Sequence, residues 1–343
     1  IATPLYLWFI NNVKESTKFK QQHKADFGRE KIEILYEDKD IAVIYKPEGM
    51  LSVPYPGSHS RTAIAVLENI MRKAGTYSAN HRPFTVHRLD RETSGVMMFA
   101  LNEHAQKIIM NTWHKMVTER LYRAVAENPE HEKELPQSGI IEDELAYNAY
   151  NVGFVPKQTD LPNKNAKKEL IASKNKNNEK SIYQRNLTIK NGKAEFKTIS
   201  ARTHYKIIER GKTHTLFELS LDTGRKNQIR AHLASKGYPL AGDENYRSKT
   251  DPFGRLALHA RTLEFFHPFT GKKMKFEIPE PENWIDCVKN QVGSHKTPIW
   301  QADSKTLSKN NIYSEVKKQR ENHISSKKLN KMDFISRGKI YKH

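Results

Sequence analysis

The residue best placed to do chemistry is an aspartate held between two arginines. Asp90 lies between Arg88 and Arg91 and is followed by a Thr-Ser-Gly turn and by the apolar run 96–101. We expect the run to be a buried strand, so the carboxylate would lie at the mouth of a sheet, where catalytic groups are often placed. A free aspartate has a pKa of ~3.9, so such a carboxylate is available as a nucleophile at neutral pH. The alternative is a surface Arg-Asp-Arg cluster worth ~0–1 kcal/mol, which charge pattern alone does not exclude.

Strands are predicted on either side of this aspartate. Runs 32–36 and 41–45 are rich in residues that favour strands and are separated by the polar segment 37–40, so they should pair as a hairpin. Residues 120–126 are predicted to form a further strand, and apolar and polar residues alternate over 217–221, as in a strand with one buried face.

Three helices are predicted to flank these strands. The first runs from about Thr62 to Ala74, with Gly75 as its C-cap. Asn102 should cap the second, whose apolar stripe extends to Met116. The third follows a turn at Gly224 and ends near residue 237. Together the elements indicate an α+β fold, a mixed and largely antiparallel β-sheet with flanking helices and a central catalytic cleft.

Four of these segments resemble the motifs of the RluA family of pseudouridine synthases. Residues 87–95, HRLDRETSG, match the family's HRLD-x-x-TSG motif completely, and 46–49 resemble KP-x-G. Residues 120–124 resemble K-x-Y-x-A, with Arg120 where lysine is usual, and 224–232 resemble GR-x-HQ-[IL]-R-x-H, with Asn227 where histidine is usual. The resemblance runs from about residue 32 to 281. Segments 237–246, 256–260 and 263–268 extend it without adding a mechanistic role.

The resemblance implies a role for each matching residue. Asp90 would be the nucleophile, Tyr122 would lie against the target uracil, and Arg230 would face Asp90 as a planar cation. Without the resemblance, Tyr122 would be interpreted as core. RNA binding is expected of His87, Arg88, Arg225, Gln228 and Ile229, with Arg88 entering the gap left by a flipped-out base and Ile229 at the pocket floor.

Two further positions carry expectations of their own. Asn227 keeps a donor and an acceptor but cannot titrate, so we expect no proton transfer there. Lys46 is expected to be a structural or phosphate-facing group rather than a catalyst.

The implied reaction constrains what else the protein requires. Pseudouridine forms when the bond between ribose and the uracil nitrogen is cut, the base rotates, and the base rejoins through carbon 5. One nucleophile suffices, and whether it attacks the sugar or the base stays open. We expect no metal and no cofactor, since the sequence has no metal-ligand spacing, phosphate-cradling glycine loop or dinucleotide fingerprint.

Composition indicates the partner and the compartment. The 343 residues carry a formal net charge of +19, which favours a polyanionic partner, and RNA fits best. Ribosomal and transfer RNA both remain open, with ribosomal RNA favoured. The single cysteine, Cys287, indicates a reducing, cytoplasmic location, and no apolar run is long enough for a membrane span. We expect a monomer.

The chain is predicted to have three parts. Residues 1–30 form an N-terminal extension, 31–288 the catalytic domain with a basic insertion at about 157–195, and 289–343 a basic tail. The tail holds 13 Lys or Arg against four acids, a net charge of +9. It would either contact phosphates as a flexible arm or fold back on the domain.

Two other functions remain open at this point. A non-catalytic RNA-binding module would share the charge but would not need Asp90, Tyr122 and Arg230 together. A nucleoside N-glycosidase also places a carboxylate near the sugar, but it usually needs a second acid or an activated water. Product analysis separates the three by an isomer of unchanged mass, unchanged RNA, or a released base.

Overall fold

A computed structural model describes residues 31–55, 61–148, 150–157, 187–190 and 193–301. The chain divides into two compact units, Ile1–Lys296 and Thr297–His343. The predicted N-terminal extension, most of the predicted insertion and most of the predicted tail lie outside the described residues. In the second unit, the described part contains the 3-10 turn Ile299–Gln301.

A ten-stranded sheet forms the centre of the first unit. Its strands are β1 (Glu33–Glu37), β2 (Ile41–Lys46), β3 (Phe84–Thr85), β4 (Ser94–Ala100), β5 (Val117–Glu127), β6 (Ser138–Ile141), β11 (Thr203–Arg210), β12 (His214–Leu221), β13 (Leu258–Phe266) and β14 (Lys273–Glu277). The main strand order is β1-β2-β4-β13-β5-β12-β11-β6. Strands β7 (Ala146–Tyr147) and β8 (Gly153–Phe154) form a separate hairpin, and β9 (Leu187–Lys190) pairs with β10 (Lys193–Phe196). Within the described ranges, β13 and β4 are the one parallel pair.

Four helices flank the sheet in the described part of the chain: α1 (Ala63–Ala74), α2 (Glu103–Met116), α3 (Gln228–Ser235) and α4 (Asn283–Asn290). Thr62 caps α1 through a bond from the backbone N–H of Ala65, and Gly75 ends it in the left-handed conformation. The side chain of Asn102 accepts from Ala105 N at 2.7 Å and starts α2. These contacts confirm the predicted helix ends, and the antiparallel pairing of β1 with β2 confirms the predicted hairpin.

Alternating residues of β2 and β4 build two cores on opposite faces of the sheet. Ala42 and Ile44 pack in the cluster that contains the buried side chains of α1. Ile41 and Val43 pack in the cluster that contains those of α2. Because side chains alternate across a strand, α1 and α2 cover opposite faces. The α+β prediction is confirmed. Within the described ranges, every helix is too short or too polar to cross a bilayer.

Gly95, at the end of the Thr-Ser-Gly turn, lets the two parallel strands approach each other. Its φ is 128°, and a Cβ there would overlap the backbone of Ala260 on β13. The pairing of β4 with β13 fixes the turn that follows Asp90. The glycine is therefore required for the position of the aspartate loop.

We expect Gly95→Ala to lower the free energy of unfolding by roughly 2–4 kcal/mol, because it combines backbone strain with overpacking. Chemical denaturation measures this loss. Gly254→Ala is the control, since Gly254 also has a positive φ, of 68°, but has nothing within 4 Å of the added carbon. The control should lose only about 1–2 kcal/mol. Equal losses would contradict the close-approach argument.

Candidate active site

A cavity of about 370 Å³ brings together all of the residues predicted for the site. The loop before β4 contributes Asp90, β5 contributes Tyr122, and the first turn of α3 contributes Arg230. The remaining predicted residues also line it, namely His87, Arg88, Arg225, Gln228 and Ile229. The chain thus folds three distant sequence segments around one carboxylate.

Two side chains from the start of α3 contact the carboxylate of Asp90. The amide of Asn227 donates a hydrogen bond of 2.7 Å to Oδ2. A terminal nitrogen of Arg230 lies 3.8 Å from the same oxygen. The Asp90 side chain is only 17% exposed, so these two contacts supply much of what water would otherwise provide. The carboxylate is oriented and remains open to the cavity.

Arg230 is held by a second acid, which the sequence interpretation did not assign. Its Nε and one terminal nitrogen donate to the two oxygens of Asp243, each at 2.7 Å. The Asp243 side chain is completely buried. Burial acts to lower the pKa of Arg230, but the bonds and charge of Asp243 outweigh it and raise that pKa above its ordinary value. Two of the three guanidinium nitrogens of Arg230 are therefore bonded to Asp243, and the third is the one that lies near Asp90.

Asn227 connects Asp90 to the β7–β8 hairpin. It adopts the left-handed conformation with φ 57°, which asparagine tolerates better than most residues. Its side-chain oxygen accepts from Gly153 N at 3.3 Å. The hydroxyl of Tyr246 donates to the carbonyl of Gly153, and the Tyr246 ring lies 5.2 Å from the Arg230 guanidinium carbon. Asp90, Arg230 and the hairpin thus form one connected group.

Tyr122 and Ile229 form apolar surface within the cavity. They are 8% and 4% exposed, and both belong to the main core cluster. Burial is the main cause that raises the pKa of Tyr122, and the charge of Asp90 acts in the same direction. The Tyr122 hydroxyl is accordingly held in its neutral form. This arrangement suits a flat, uncharged base beside the carboxylate.

The predicted RNA-binding residues divide into two groups. Arg88 and Arg225 are exposed at the cavity, where their charges can reach phosphates. Gln228 is buried, and its amide bonds within the protein: the oxygen accepts from Thr223 and Arg225, and the nitrogen donates to Arg202 and Thr203. Gln228 therefore holds the turn that precedes α3.

His87 also makes a structural contact. Its Nε2 accepts from the backbone N–H of Met98 at 2.9 Å, and its ring centroid lies 4.9 Å from that of Trp113. Burial, reinforced by the charge of Arg120, lowers the pKa of His87 to about 3. The imidazole is neutral at the cavity wall, which suits contact with a base better than contact with a phosphate.

The His87 shift predicts acid lability. In the unfolded chain a histidine titrates near ~6.5, so the unfolded state binds an extra proton between about pH 3 and that value. Stability should therefore fall as the pH drops through this window, by up to ~1.4 kcal/mol per pH unit. His87→Gln keeps an acceptor for the N–H of Met98 but does not titrate. The free energy of unfolding of this variant should therefore depend less steeply on pH. Urea denaturation between pH 4 and 8 measures it, and parallel slopes would contradict the assignment.

Lys46 binds the backbone of the loop that contains Asp90. It is fully buried, and its ammonium donates to the carbonyls of Pro47, Met50 and Arg91 at 2.8, 2.7 and 3.2 Å. Burial lowers its pKa to about 7, against the opposing charges of nearby acids. Of the two expected roles, the structure gives it the structural one, since Arg91 directly follows Asp90.

One group of potential metal ligands lies outside the cavity. Ligand atoms of Asp38, Asp40 and His267 lie within 4.8 Å of one another. However, Nδ1 of His267 accepts from the backbone N–H groups of Phe269 and Thr270. Nε2 must then carry the hydrogen, which it donates to Asp38 at 2.9 Å. This donor geometry fits a hydrogen bond between two turns and not a metal ligand.

Comparisons with known proteins identify the class. A family model described as RNA pseudouridylate synthase matches residues 40–235. An uncharacterized RNA pseudouridine synthase of Bacillus subtilis is 33% identical over 261 residues, which cover 76% of this chain and 72% of that protein. Ribosomal large subunit pseudouridine synthase D of Neisseria meningitidis serogroup B is 30% identical, over 74% of this chain and 59% of its own length.

A solved human structure, RNA pseudouridylate synthase domain containing 4, has the same fold. Its TM-score is 0.50 at 19% identity, over 81% of this chain and 95% of that one. The chain belongs to the RNA pseudouridylate synthase family, which confirms the resemblance seen in its motifs. Members of this family are isomerases.

Proposed function

We propose that this protein converts a uridine in structured RNA to pseudouridine, with Asp90 as the nucleophile. The observation that carries the proposal is the Asp90 carboxylate, bonded by Asn227 at 2.7 Å and approached by Arg230 at 3.8 Å in a cavity that Tyr122 also lines. An oriented anion beside apolar surface provides a nucleophile and a place for the base.

The proposed reaction leaves the atomic composition of the nucleoside unchanged. The bond between C1′ and N1 breaks, a bond between C1′ and C5 forms, the hydrogen at C5 leaves as a proton, and N1 gains a proton. The base must remain in the site while it rotates. Tyr122 and Ile229, both nearly buried, favour this because they keep water away from one side of the base.

RNA binding would begin at the exposed arginines. Arg88 and Arg225 are exposed at the cavity, and the net charge of +19 attracts a polyanion over a longer range. The target must leave its stack at a cost of a few kcal/mol, and we propose that Arg88 fills the gap. We propose that the protein acts as a monomer in the cytoplasm and requires no cofactor.

Ribosomal RNA is the proposed substrate rather than transfer RNA. The support comes from the Neisseria relative, whose name assigns it to the large ribosomal subunit. Mapping carbodiimide-induced reverse-transcription stops across total RNA, with and without the gene, tests this proposal. A stop in ribosomal RNA that depends on the gene is expected. Loss of a stop in transfer RNA alone would overturn the substrate assignment, and no change in any RNA would contradict the activity.

The pH dependence of the single-turnover rate should depend on the residue at position 227. Because an amide does not titrate, residue 227 should impose no pH dependence on the single-turnover rate. A histidine in Asn227→His would pick up a proton beside the Asp90 carboxylate below about pH 7 and pair with it. We expect the rate of this variant to fall several-fold below that pH and to recover above it. Single-turnover rates from pH 5.5 to 8.5 measure the difference, and profiles of the same shape would contradict it.

A further inference from the structure

A second cavity, of about 410 Å³, adjoins the proposed active site. It lies where α2 ends, β5 begins and β12 ends. Trp113, His114, Arg120 and Leu221 line both cavities, so the two share a wall. An RNA strand with one nucleotide in the first cavity would have its neighbouring nucleotide close to this wall.

The shared wall offers an aromatic ring and a guanidinium. The Arg120 guanidinium carbon lies 5.7 Å from the centroid of the Trp113 ring, and His87 holds that ring from the first cavity at 4.9 Å. Trp113 is partly exposed. Aromatic rings and guanidinium planes are the groups on which unpaired RNA bases stack.

Arg120 is positioned by a bond that leaves part of its fork for a ligand. One terminal nitrogen donates to the carbonyl of Leu221 at 2.9 Å. The described contact uses a single N–H of a group that carries several. Since Arg120 lies between the cavities, its charge is placed for a phosphate that links a nucleotide in one cavity to a nucleotide in the other.

The acids of the second cavity are engaged with nearby basic groups. Glu119 lies 3.4 Å from Lys275, and Asp222 lies 2.9 Å from His204 and 3.3 Å from Arg202. These carboxylates would still repel a phosphate in the body of the cavity. An uncharged base is the better occupant there, with the phosphate at Arg120.

We propose that the second cavity binds the base of an unpaired nucleotide next to the target uridine, with the base against Trp113 and the linking phosphate at Arg120. The inference rests on the proposed function and adds a second recognition site to it. It makes Trp113 and Arg120 specificity residues, which select a target whose neighbour is also free to leave the helix.

A double-mutant cycle tests the base contact. The probe is an RNA hairpin that contains the mapped uridine, with an abasic nucleotide directly 5′ or directly 3′ of that uridine. Binding is measured with proteins that carry Asp90→Asn, so that no reaction takes place. When the protein keeps Trp113, one of the two abasic hairpins should bind to it about tenfold more weakly than the parent hairpin does. Trp113→Leu should weaken binding of the parent RNA by a similar factor and remove the penalty of the abasic site.

Met110→Ala is the matched control, because Met110 is exposed on the same helix but lines only the first cavity. It should leave the abasic penalty intact. An abasic penalty that is the same with and without Trp113, on both sides of the target, would overturn the base contact. Because isomerisation of the parent RNA is scored separately with the unmodified enzyme, a failure of the proposed function would appear there and not in this cycle.

The phosphate contact is tested with a second variant that keeps the Trp113 ring. Arg120→Gln can keep a donor toward Leu221 but loses the charge. The phosphate between the target uridine and its neighbouring nucleotide is replaced by a neutral methylphosphonate. This change should weaken RNA binding several-fold in the protein that keeps Arg120 and have little effect in the Arg120→Gln variant. An equal penalty in both proteins would contradict the placement of the phosphate, even if Trp113→Leu fails to fold.

Discussion

Asp90→Asn is expected to reduce the single-turnover rate of isomerisation by at least about 10³-fold and to leave RNA binding largely unchanged. The asparagine has the shape of the aspartate and can present its side-chain oxygen to the amide of Asn227, which now donates to Asp90 at 2.7 Å. Only the proposed nucleophile is lost. Rates at saturating RNA and affinities from filter binding separate the two effects.

Glu92→Gln is the matched control for this loss. Glu92 lies on the same loop, and its carboxylate is 3.9 Å from Arg230, against 3.8 Å for Asp90. It is 48% exposed, so it should contribute mainly through screened charge and change the rate by a few-fold at most. If the asparagine variant kept more than a few per cent of the wild-type rate, Asp90 would not be the nucleophile.

Removing Asp243 is expected to have the largest effect on stability. Asp243→Leu leaves the Arg230 guanidinium buried without its bidentate partner, which should lower the free energy of unfolding by about 3–5 kcal/mol. In molecules that still fold, the fork of Arg230 is free to turn onto Asp90, so activity should also fall by a factor of ten or more. Denaturation curves and single-turnover rates measure both losses.

A double variant separates the two consequences. Arg230→Met with Asp243→Leu removes both buried charges and should recover much of the lost stability. Activity should stay low, because the guanidinium that lies 3.8 Å from Asp90 is then gone. Arg230→Lys should likewise be impaired, since a point charge cannot replace a planar fork that serves two carboxylates. Recovery of activity in the double variant would show that the cation beside Asp90 is dispensable.

The elements of the fold were predictable because their signals are local. The alternation over 217–221 and the caps Gly75 and Asn102 depend on residues within a few positions of one another. The order of the strands is not local: β13 inserts between β4 and β5, and Gly95 permits the close approach. Nothing in a single sequence states which distant strand will lie against that glycine.

The site was predictable where its residues lie within motifs, and the supporting residues were not. The cavity contains Asp90, Tyr122 and Arg230 together, as the motifs imply. Asp243 lies in segment 237–246, which extends the resemblance without an implied role, yet it holds Arg230. One signal was present: a buried arginine requires a buried acid, but the choice among 39 acids depends on tertiary contacts.

The central claim, that this site isomerises a uridine without releasing the base, is tested most directly by RNA labelled with tritium at carbon 5 of uracil. Joining carbon 5 to the ribose expels that hydrogen, so the purified protein should release one tritium into water for each modified uridine, with no free uracil. In unlabelled RNA the nucleoside mass should be unchanged. Asp90→Asn should release none. Free labelled uracil would indicate an N-glycosidase, and RNA that binds but keeps all of its tritium would indicate a binding protein; either result would contradict the account.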